Sequence, residues 1–132
     1  MQPGTSGPGS VSRVPLEIEI VGREAISCEF VRHLAPITAR SILTSLPLQG
    51  LVHRFGNIFV YFETGLVIGP EKQRTRFKRG DLGLLVSNGS ICIFLEDSNA
   101  QPMNPLGSIT GDLSPIQSLR PGDVLKLKKP TA

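Results

Sequence analysis

Two apolar runs around a tight turn constrain the fold of this chain more than any other feature. Residues 82–86 and 91–95 flank the sequence Ser87-Asn88-Gly89-Ser90, and Asn-Gly between two apolar runs is a strong signal for a β-hairpin. Neither run alternates with polar residues, so each strand has to be covered by protein on both faces. The sequence therefore predicts that this hairpin lies at the centre of a sheet or barrel.

Turn-forming residues divide the rest of the chain into short segments. The 132 residues include 14 Gly and 11 Pro, which favours many short strands over long helices. Residues 16–20 alternate between apolar and charged side chains, as in a half-buried strand, and residues 25–30 are expected to run back beside them. Strands are also predicted at residues 106–109 and 124–127. Residues 96–105 are polar, and we expect them to form a long loop, a kind of segment that often carries function.

One segment has helical periodicity. Between Pro36 and Pro47 the apolar residues recur at helical spacing, a proline suits the first turn of a helix, and a second proline ends it. We expect this helix to cover one opening of the barrel with Ile42, Leu43 and Leu46. Residues 112–119 are expected to form a short turn or 3₁₀ element. The predicted class is therefore mainly β with one or two short helices.

The composition favours one globular domain. With 39% hydrophobic and 19% charged residues, a chain of this length can bury a real core. Residues 1–15 are rich in Gly, Pro and Ser and lack a hydrophobic signal core, so we expect a flexible tail there and the domain at residues 16–129. Since no apolar run is long enough to span a bilayer, we expect no membrane partner and a cytoplasmic location.

The positive charge of the chain is concentrated in one segment. The formal net charge of +3 is too small by itself to indicate a nucleic-acid partner. Basic residues around an aromatic one can nevertheless bind RNA or single-stranded DNA. Because Glu71 and Asp81 oppose the cluster, a solvated loop is the favoured interpretation and a nucleic-acid interface is the alternative. The cluster at residues 72–79 consists of Lys72, Arg74, Arg76, Lys78 and Arg79, with Phe77 among them.

The residue types that usually hold metals or drive catalysis are sparse. Cys28 and Cys92 each lie in an apolar, strand-like run, so buried thiols are favoured over a disulfide or a catalytic role. The chain has no phosphate-binding loop, dinucleotide fingerprint, zinc-protease motif or Cys-x-x-Cys pair. Its carboxylates form no evident acid–base pair. The sequence therefore predicts no cofactor, no metal and no particular reaction.

Residues 51–62 form the candidate functional segment. Gly56-Asn57 between two apolar runs predicts a type II′ turn that pairs Phe55 with Ile58 and Arg54 with Phe59. Since side chains alternate across a strand, Arg54, Phe59 and Tyr61 would share one face, and the other face would be core. A guanidinium beside two rings suits a planar or amide ligand. The alternative is that the aliphatic part of the Arg54 side chain simply covers a neighbouring ring. The predicted core face comprises Leu51, His53, Phe55, Ile58, Val60 and Phe62.

The order of these elements resembles a family of small prokaryotic cyclophilin-like proteins of unknown function. The resemblance spans residues 16–128, and it implies a closed cyclophilin-like β-barrel with one or two short helices. The family has Trp where this chain has Phe55. The matching features, after the first hairpin, are Pro36-Ile37-Thr38-Ala39, Arg54-Phe55-Gly56, Gly80-Asp81, Cys92-Ile93-Phe94, Pro105-Leu106-Gly107-Ser108-Ile109 and Gly122-Asp123.

The resemblance also implies a binding pocket. A small molecule or peptide is expected beside Arg54, and the candidate lining residues are Arg54, Phe59, Tyr61, Cys92 and Phe94. True cyclophilins are prolyl isomerases, and His53-Arg54 fits the spacing of their Phe-His-Arg motif. Val60, Phe62 and Ile91 stand where those enzymes have Met and Gln residues that hold the substrate. A binding module is therefore the favoured function, and a weak prolyl isomerase is the alternative.

Overall fold

Tight turns and short apolar runs give this chain a fold whose regular structure is mainly strands. The computed structural model describes residues 12–131. Two short helices, α1 (Pro36–Leu43) and α2 (Ser114–Gln117), and a 3₁₀ turn at Arg32–Leu34 accompany the strands. The strands are β1 (Arg13–Ile20), β2 (Ala25–Val31), β3 (Leu48–Leu51), β4 (His53–Phe55), β5 (Phe59–Glu63), β6 (Arg74–Phe77), β7 (Asp81–Leu85), β8 (Ser90–Phe94), β9 (Ser98–Ile109) and β10 (Val124–Lys128).

The strands form one antiparallel sheet in the order β3-β10-β1-β2-β9-β7-β8-β5-β4, and β6 pairs with the first part of β9. The long strand β9 joins the two halves of this sheet. On one edge it pairs with β2, where Gly107 lies opposite Phe30. On the other edge it pairs with β7, where Asn104 lies opposite Leu84. The integrity of the sheet therefore depends on β9.

The two ends of the sheet approach each other without a hydrogen-bonded ladder. The end strands β3 and β4 are separated by Val52 alone, and β3 lies close to β5, since a Cβ on Gly50 would be 2.8 Å from the carbonyl oxygen of Glu63. Within residues 12–131, β3 pairs with β10 and not with β5. The mainly β class with two short helices is confirmed, whereas closure of the barrel by hydrogen bonds is not.

The central hairpin lies where the sequence predicts it. Strands β7 and β8 pair with Leu82 opposite Ile93, and every residue of β8 is buried. Its two faces contact different apolar clusters. Ile91 and Ile93 belong to the main core, which also contains the buried side chains of β1, β2, β10 and α1, whereas Cys92 and Phe94 face away from it.

The second apolar cluster, called here the outer cluster, lies between the β5–β8 pair and the covering strands β6 and β9. Gly83 in β7 leaves room for it, because a Cβ there would be 3.2 Å from the sulfur of one methionine. Residues 96–105 were predicted to be a long loop, and this is wrong, since residues 98–105 belong to β9 and cover the cluster. The outer cluster consists of Phe59, Phe77, Cys92, Phe94 and Met103.

Helix α1 packs on the main core through the predicted face, with Ala39 and Ile42 buried and Leu43 and Leu46 partly buried. It ends at Leu43, three residues before the predicted end. The side-chain hydroxyls of the residues that follow the helix compete with backbone N–H groups for its last carbonyl oxygens. One of them, on Ser45, donates to the carbonyl oxygen of Ser41 at 2.8 Å.

The N-terminus of α1 is capped by a residue that is distant in sequence. The carboxylate of Glu71 accepts hydrogen bonds from the backbone N–H groups of Ile37 at 3.0 Å and Thr38 at 2.8 Å. It also accepts one from the Thr38 hydroxyl at 2.7 Å. Partial removal from water raises the pKa of Glu71, but the hydrogen bonds from Thr38 and Ile37 and the charge of Lys72 outweigh it and hold the pKa below its ordinary value.

This cap predicts a pH-dependent contribution to stability. Because the pKa of Glu71 is lower in the folded state, its stabilising effect is present above the ordinary value of 4.5 and is lost as the pH falls through the folded-state value. We expect Glu71→Gln to lower the free energy of unfolding by about 1 kcal/mol at neutral pH. The difference from the parent protein should shrink as the pH falls below 4.5. Chemical denaturation across this pH range measures it, with the exposed Glu96→Gln as control. A difference that stays constant with pH would contradict the prediction.

The first strand starts three residues before the strand predicted at residues 16–20. Strand β1 begins at Arg13, whose side chain pairs with that of Glu29 in β2. The first eleven residues of the predicted tail lie outside the described part of the chain. None of the helices between residues 12 and 131 has the length and apolarity needed to cross a membrane.

Candidate functional site

The hairpin at residues 51–62 has the expected turn but a different register. Gly56 has a φ of +55°, and the N–H of Ile58 donates to the carbonyl oxygen of Phe55 at 3.0 Å. Ile58 stays outside the ladder between the two strands, and this shifts the pairing by one residue. A one-residue shift moves the side chains of one strand to the opposite face. The cross-strand pairs are His53 with Tyr61, Arg54 with Val60 and Phe55 with Phe59.

The predicted face that combines Arg54 with Phe59 and Tyr61 is therefore wrong. Arg54 lies on the inner side of the hairpin, opposite the buried Val60. Because Ile58 is left out of the ladder, the opposite side of β4 meets the core. Three residues of the predicted core face are therefore exposed: Leu51, His53 and Phe55. Only Val60 and Phe62 of that face reach the main core.

The guanidinium of Arg54 ties the hairpin to the segment that follows α2. Its Nη1 donates to the carbonyl oxygens of Gln117 at 3.0 Å and Leu119 at 2.6 Å. Its Nε and Nη2 donate within the hairpin, to the carbonyl oxygen of Gly56 and to Oδ1 of Asn57, both at 3.2 Å. Four internal hydrogen bonds use most of the five N–H donors of an arginine. The geometry thus gives Arg54 a structural role, and its predicted contact with a ligand stays a prediction.

We expect Arg54→Ala to lower the free energy of unfolding by about 2 kcal/mol, because it removes a charged donor from the partly buried carbonyl oxygen of Leu119 and breaks three further, more exposed hydrogen bonds. Arg120→Ala is the matched control, since that arginine is exposed and lies next to Leu119. Denaturant unfolding measures both variants. Equal stability of the two variants, together with weaker ligand binding by Arg54→Ala alone, would show that Arg54 acts on a ligand instead.

The outer side of the hairpin carries a continuous row of aromatic rings. The row begins in the outer cluster, where the rings of Phe77 and Phe94 are stacked with centroids 4.5 Å apart and planes 6° apart. Such contacts add to the free energy gained from burial and hold the rings in fixed orientations. From Phe94 the row continues through Phe59 to the rings of Phe55, Tyr61 and His53.

Four of the five predicted ligand-binding residues lie together in this region. Phe59, Cys92 and Phe94 belong to the outer cluster, and Tyr61 packs against it. Burial raises the pKa of the Cys92 thiol to about 12, against a weaker opposing effect of a backbone hydrogen bond at Leu85. A thiol with such a pKa is not a nucleophile at neutral pH. Cys28 is also buried and free, so the prediction of two buried thiols is confirmed.

A cavity of about 340 Å³ opens beside the outer cluster, where β6 pairs with β9. This volume lies at the small end of the range typical of ligand sites. The ring of Phe77 forms its apolar part, and the side-chain oxygen of Ser98 is removed from water without a hydrogen-bond partner in the described structure. The lining residues are Arg76, Phe77, Lys78, Asp97, Ser98 and Asn99.

A tight turn places the charged residues at this cavity. The carboxylate of Asp81 accepts the N–H of Lys78 at 2.8 Å, and Gly80 has a φ of +91°. The carboxylate of Asp97, the residue before β9, accepts the N–H of Arg79 at 2.8 Å. The same turn recurs before β10, where Asp123 accepts the N–H of Arg120 at 2.9 Å. Gly80-Asp81 and Gly122-Asp123, two features of the family resemblance, thus form matching turns.

The sequence indicated both segments that line this cavity, but it did not predict that they lie side by side. Arg76, Phe77 and Lys78 lie in the basic cluster at residues 72–79, which was expected to be a loop and instead contains strand β6. Ser98 and Asn99 lie in the polar segment that was expected to be a functional loop. The pairing between these two segments brings the residues to one place, and no local pattern in either segment predicts it.

Comparisons with known proteins agree with this fold. The family model described as Cyclophilin-like matches residues 14–128. The hypothetical protein AF2241 from Archaeoglobus fulgidus superposes with a TM-score of 0.73 at 20% identity, covering 96% of this chain and 100% of that chain. McbB, solved in complex with tryptophan, superposes with a TM-score of 0.72 at 17% identity, covering 89% of this chain and 45% of that chain. At these identities the likeness shows a shared fold. No curated protein matches the sequence.

Proposed function

This chain belongs to the cyclophilin-like family, and we propose that it is a binding protein whose ligand occupies the cavity between β6 and β9. The ligand is a small molecule or short peptide with an aromatic ring and ionised ends. The observation that carries the proposal is the lining of the cavity, which combines the fixed ring of Phe77 with cations, a carboxylate and an unpartnered hydroxyl. In this proposal the ligand lies beside the outer cluster, and not beside Arg54 as the sequence predicted.

The chemistry of the lining matches the two ends of an amino acid or peptide. Arg76 and Lys78 are exposed cations that attract a carboxylate, and an arginine can hold one through two parallel hydrogen bonds. Asp97 offers a negative charge for an ammonium group. The ring of Phe77 is held by its stack on Phe94 and is 2% exposed, so it forms the floor of the cavity, and an aromatic side chain of the ligand would contact it over a small apolar area.

Tryptophan is the first probe, because McbB shares this fold and was solved with tryptophan bound. Titration of the isotope-labelled protein with L-tryptophan should move the amide resonances of Lys78, Ser98 and Asn99. N-acetyl-L-tryptophanamide keeps the ring but lacks both charges, and L-leucine keeps the charges but lacks the ring, so each should bind more weakly. A short proline-containing peptide tests the peptide form of the ligand.

Two arginines of β6 provide a matched pair of variants. Arg76 lines the proposed cavity, whereas Arg74 lies on the same strand and lines a different one. We expect Arg76→Gln to weaken binding of the best probe about tenfold, as for the loss of one charge-assisted hydrogen bond, and Arg74→Gln to leave it unchanged. Resonance shifts confined to other parts of the protein, or equal effects of the two variants, would contradict the proposal.

The same pair of variants tests the nucleic-acid alternative. All five cations of the 72–79 cluster are exposed, and a phosphate backbone would contact them by charge alone. Binding of an oligonucleotide would then fall steeply with salt and would weaken in both arginine variants. We expect no complex tighter than non-specific binding at physiological salt.

We also expect prolyl isomerisation to be absent or feeble. In the matching positions, Val60 and Phe62 are fully buried in the main core, and the guanidinium of Arg54 is bonded to backbone carbonyls. None of these groups is available to hold a peptide, and the loss of one preorganised donor can reduce a rate about a hundredfold. A protease-coupled assay on a proline tetrapeptide measures the rate. A robust rate that disappears in Arg54→Ala would establish the enzyme and refute the binding-only proposal.

A further inference from the structure

A separate cavity of about 430 Å³ lies between the start of β1, the second half of α1 and the residues that follow β10. Its floor is apolar: Leu16 is 2% exposed, and Val14 and Leu43 pack against the main core. Its remaining lining includes three cations from three different elements, Arg32, Arg40 and Lys129, and no carboxylate. The cavity thus combines an apolar surface with charged side chains that are all positive.

These three cations lack the partners that their neighbours have. Across residues 12–131, no hydrogen bond or ion pair engages the side chains of Arg32, Arg40 or Lys129. By contrast, the adjacent Lys128 lies 3.1 Å from a carboxylate oxygen of Glu19. A neighbouring cavity of about 310 Å³ shares Lys129 and is also lined by Lys126. The residues that precede the described part of the chain, 1–11, include no Asp or Glu.

We infer that this cavity binds an organic anion with an apolar body. Like charges that face one concavity repel each other and focus a positive potential there, which an anion relieves. Arg32 and Arg40 supply guanidinium groups for a phosphate or carboxylate, and Lys129 adds a third charge. The hydrocarbon part of the ligand replaces water over Val14, Leu16 and Leu43. This second site is built from other elements than the cavity between β6 and β9 and does not depend on it.

Simple probes separate the two halves of this ligand. Octyl phosphate, below the concentration at which it forms micelles, supplies both the anion and the apolar body. Inorganic phosphate supplies the anion alone and 1-octanol the apolar body alone. We expect octyl phosphate to bind at least about tenfold more tightly than either, and its affinity to fall as salt screens the exposed cations. Vesicles with and without phosphatidylglycerol then distinguish a lipid headgroup from a free organic anion as its source.

Variants of the two arginines test the assignment. Both side chains are exposed, so neutral replacements leave the core untouched. We expect Arg32→Gln and Arg40→Gln each to weaken octyl phosphate binding about tenfold and the double variant about a hundredfold. Arg120→Gln, an exposed arginine outside the lining, should have no effect. Equal binding of octanol and octyl phosphate, or a double variant that binds as the parent does, would overturn the inference.

Discussion

Gly107→Ala is expected to prevent the chain from folding stably. A Cβ on Gly107 would lie 2.0 Å from the carbonyl oxygen of Glu29 and 2.9 Å from the Cα of Phe30. Both atoms belong to the backbone of β2, so no flexible side chain can move away. The strands β2 and β9 would have to separate at the joint between the two halves of the sheet. We expect a loss of about 4 kcal/mol or more, a large part of the stability of an ordinary domain.

The matched control for this variant is Gly69→Ala. A Cβ on Gly69 would meet no atom within 4 Å, and the backbone there does not have a positive φ. Both variants remove one glycine and therefore restrict the unfolded chain equally. We expect Gly69→Ala to be neutral or slightly stabilising in denaturant unfolding. If Gly107→Ala unfolds at the same denaturant concentration as Gly69→Ala, the close approach of β2 and β9 described here is wrong.

The sequence predicted the elements whose signal is local. The hairpin of β7 and β8 was predicted because apolar residues at consecutive positions, such as Ile91 and Cys92, require burial on both faces, and the structure covers each face with a separate apolar cluster. Helix α1 was predicted from its periodicity. The glycine of the motif Pro105-Leu106-Gly107-Ser108-Ile109 was part of the family resemblance, and the approach of β2 gives it a physical reason.

The sequence could not predict features that depend on a partner segment. The turn at Gly56 was predicted correctly, but the pairing beyond it depends on Ile58, which leaves the ladder and whose carbonyl oxygen accepts a hydrogen bond from the N–H of Leu95 at 2.8 Å. That contact with the end of β8 is not local. It reverses the face on which Arg54 lies, and the predicted site changes with it.

The same reason explains why the candidate cavity was predicted only in part. Residues 98–103 are mostly polar or small because they lie on the outside of the protein, and their strand structure comes from pairing with β6. Arg74 and Arg76 alternate with Thr75 and Phe77, and a single buried ring among exposed side chains gives too weak a pattern for a strand. The pairing of these two segments creates both the cover of the outer cluster and the cavity.

Asn104 illustrates a buried group whose importance is visible only in the structure. Its side chain is fully buried, and both polar atoms of its amide group make hydrogen bonds. Its Nδ2 donates to the hydroxyl of Thr38 at 3.0 Å and to the carbonyl oxygen of Gly69 at 2.9 Å, and its Oδ1 accepts the N–H of Glu71 at 2.9 Å. One side chain of β9 thus holds α1 and the segment that carries the helix cap.

Asn104→Ala is therefore expected to lower the free energy of unfolding by about 3 kcal/mol, because it removes three hydrogen bonds of a fully buried side chain, one to the buried Thr38 and two to partly buried backbone groups of Gly69 and Glu71. The exposed Asn99→Ala in the same strand is the control and should change stability by less than about 0.5 kcal/mol. The loss should also weaken the cap on α1, since the backbone of Glu71 is no longer held. Glu71→Gln should then cost less in the Asn104→Ala background than in the parent, which a double-mutant cycle measures. Fully additive effects of the two substitutions would show that Asn104 stabilises the fold without positioning the cap.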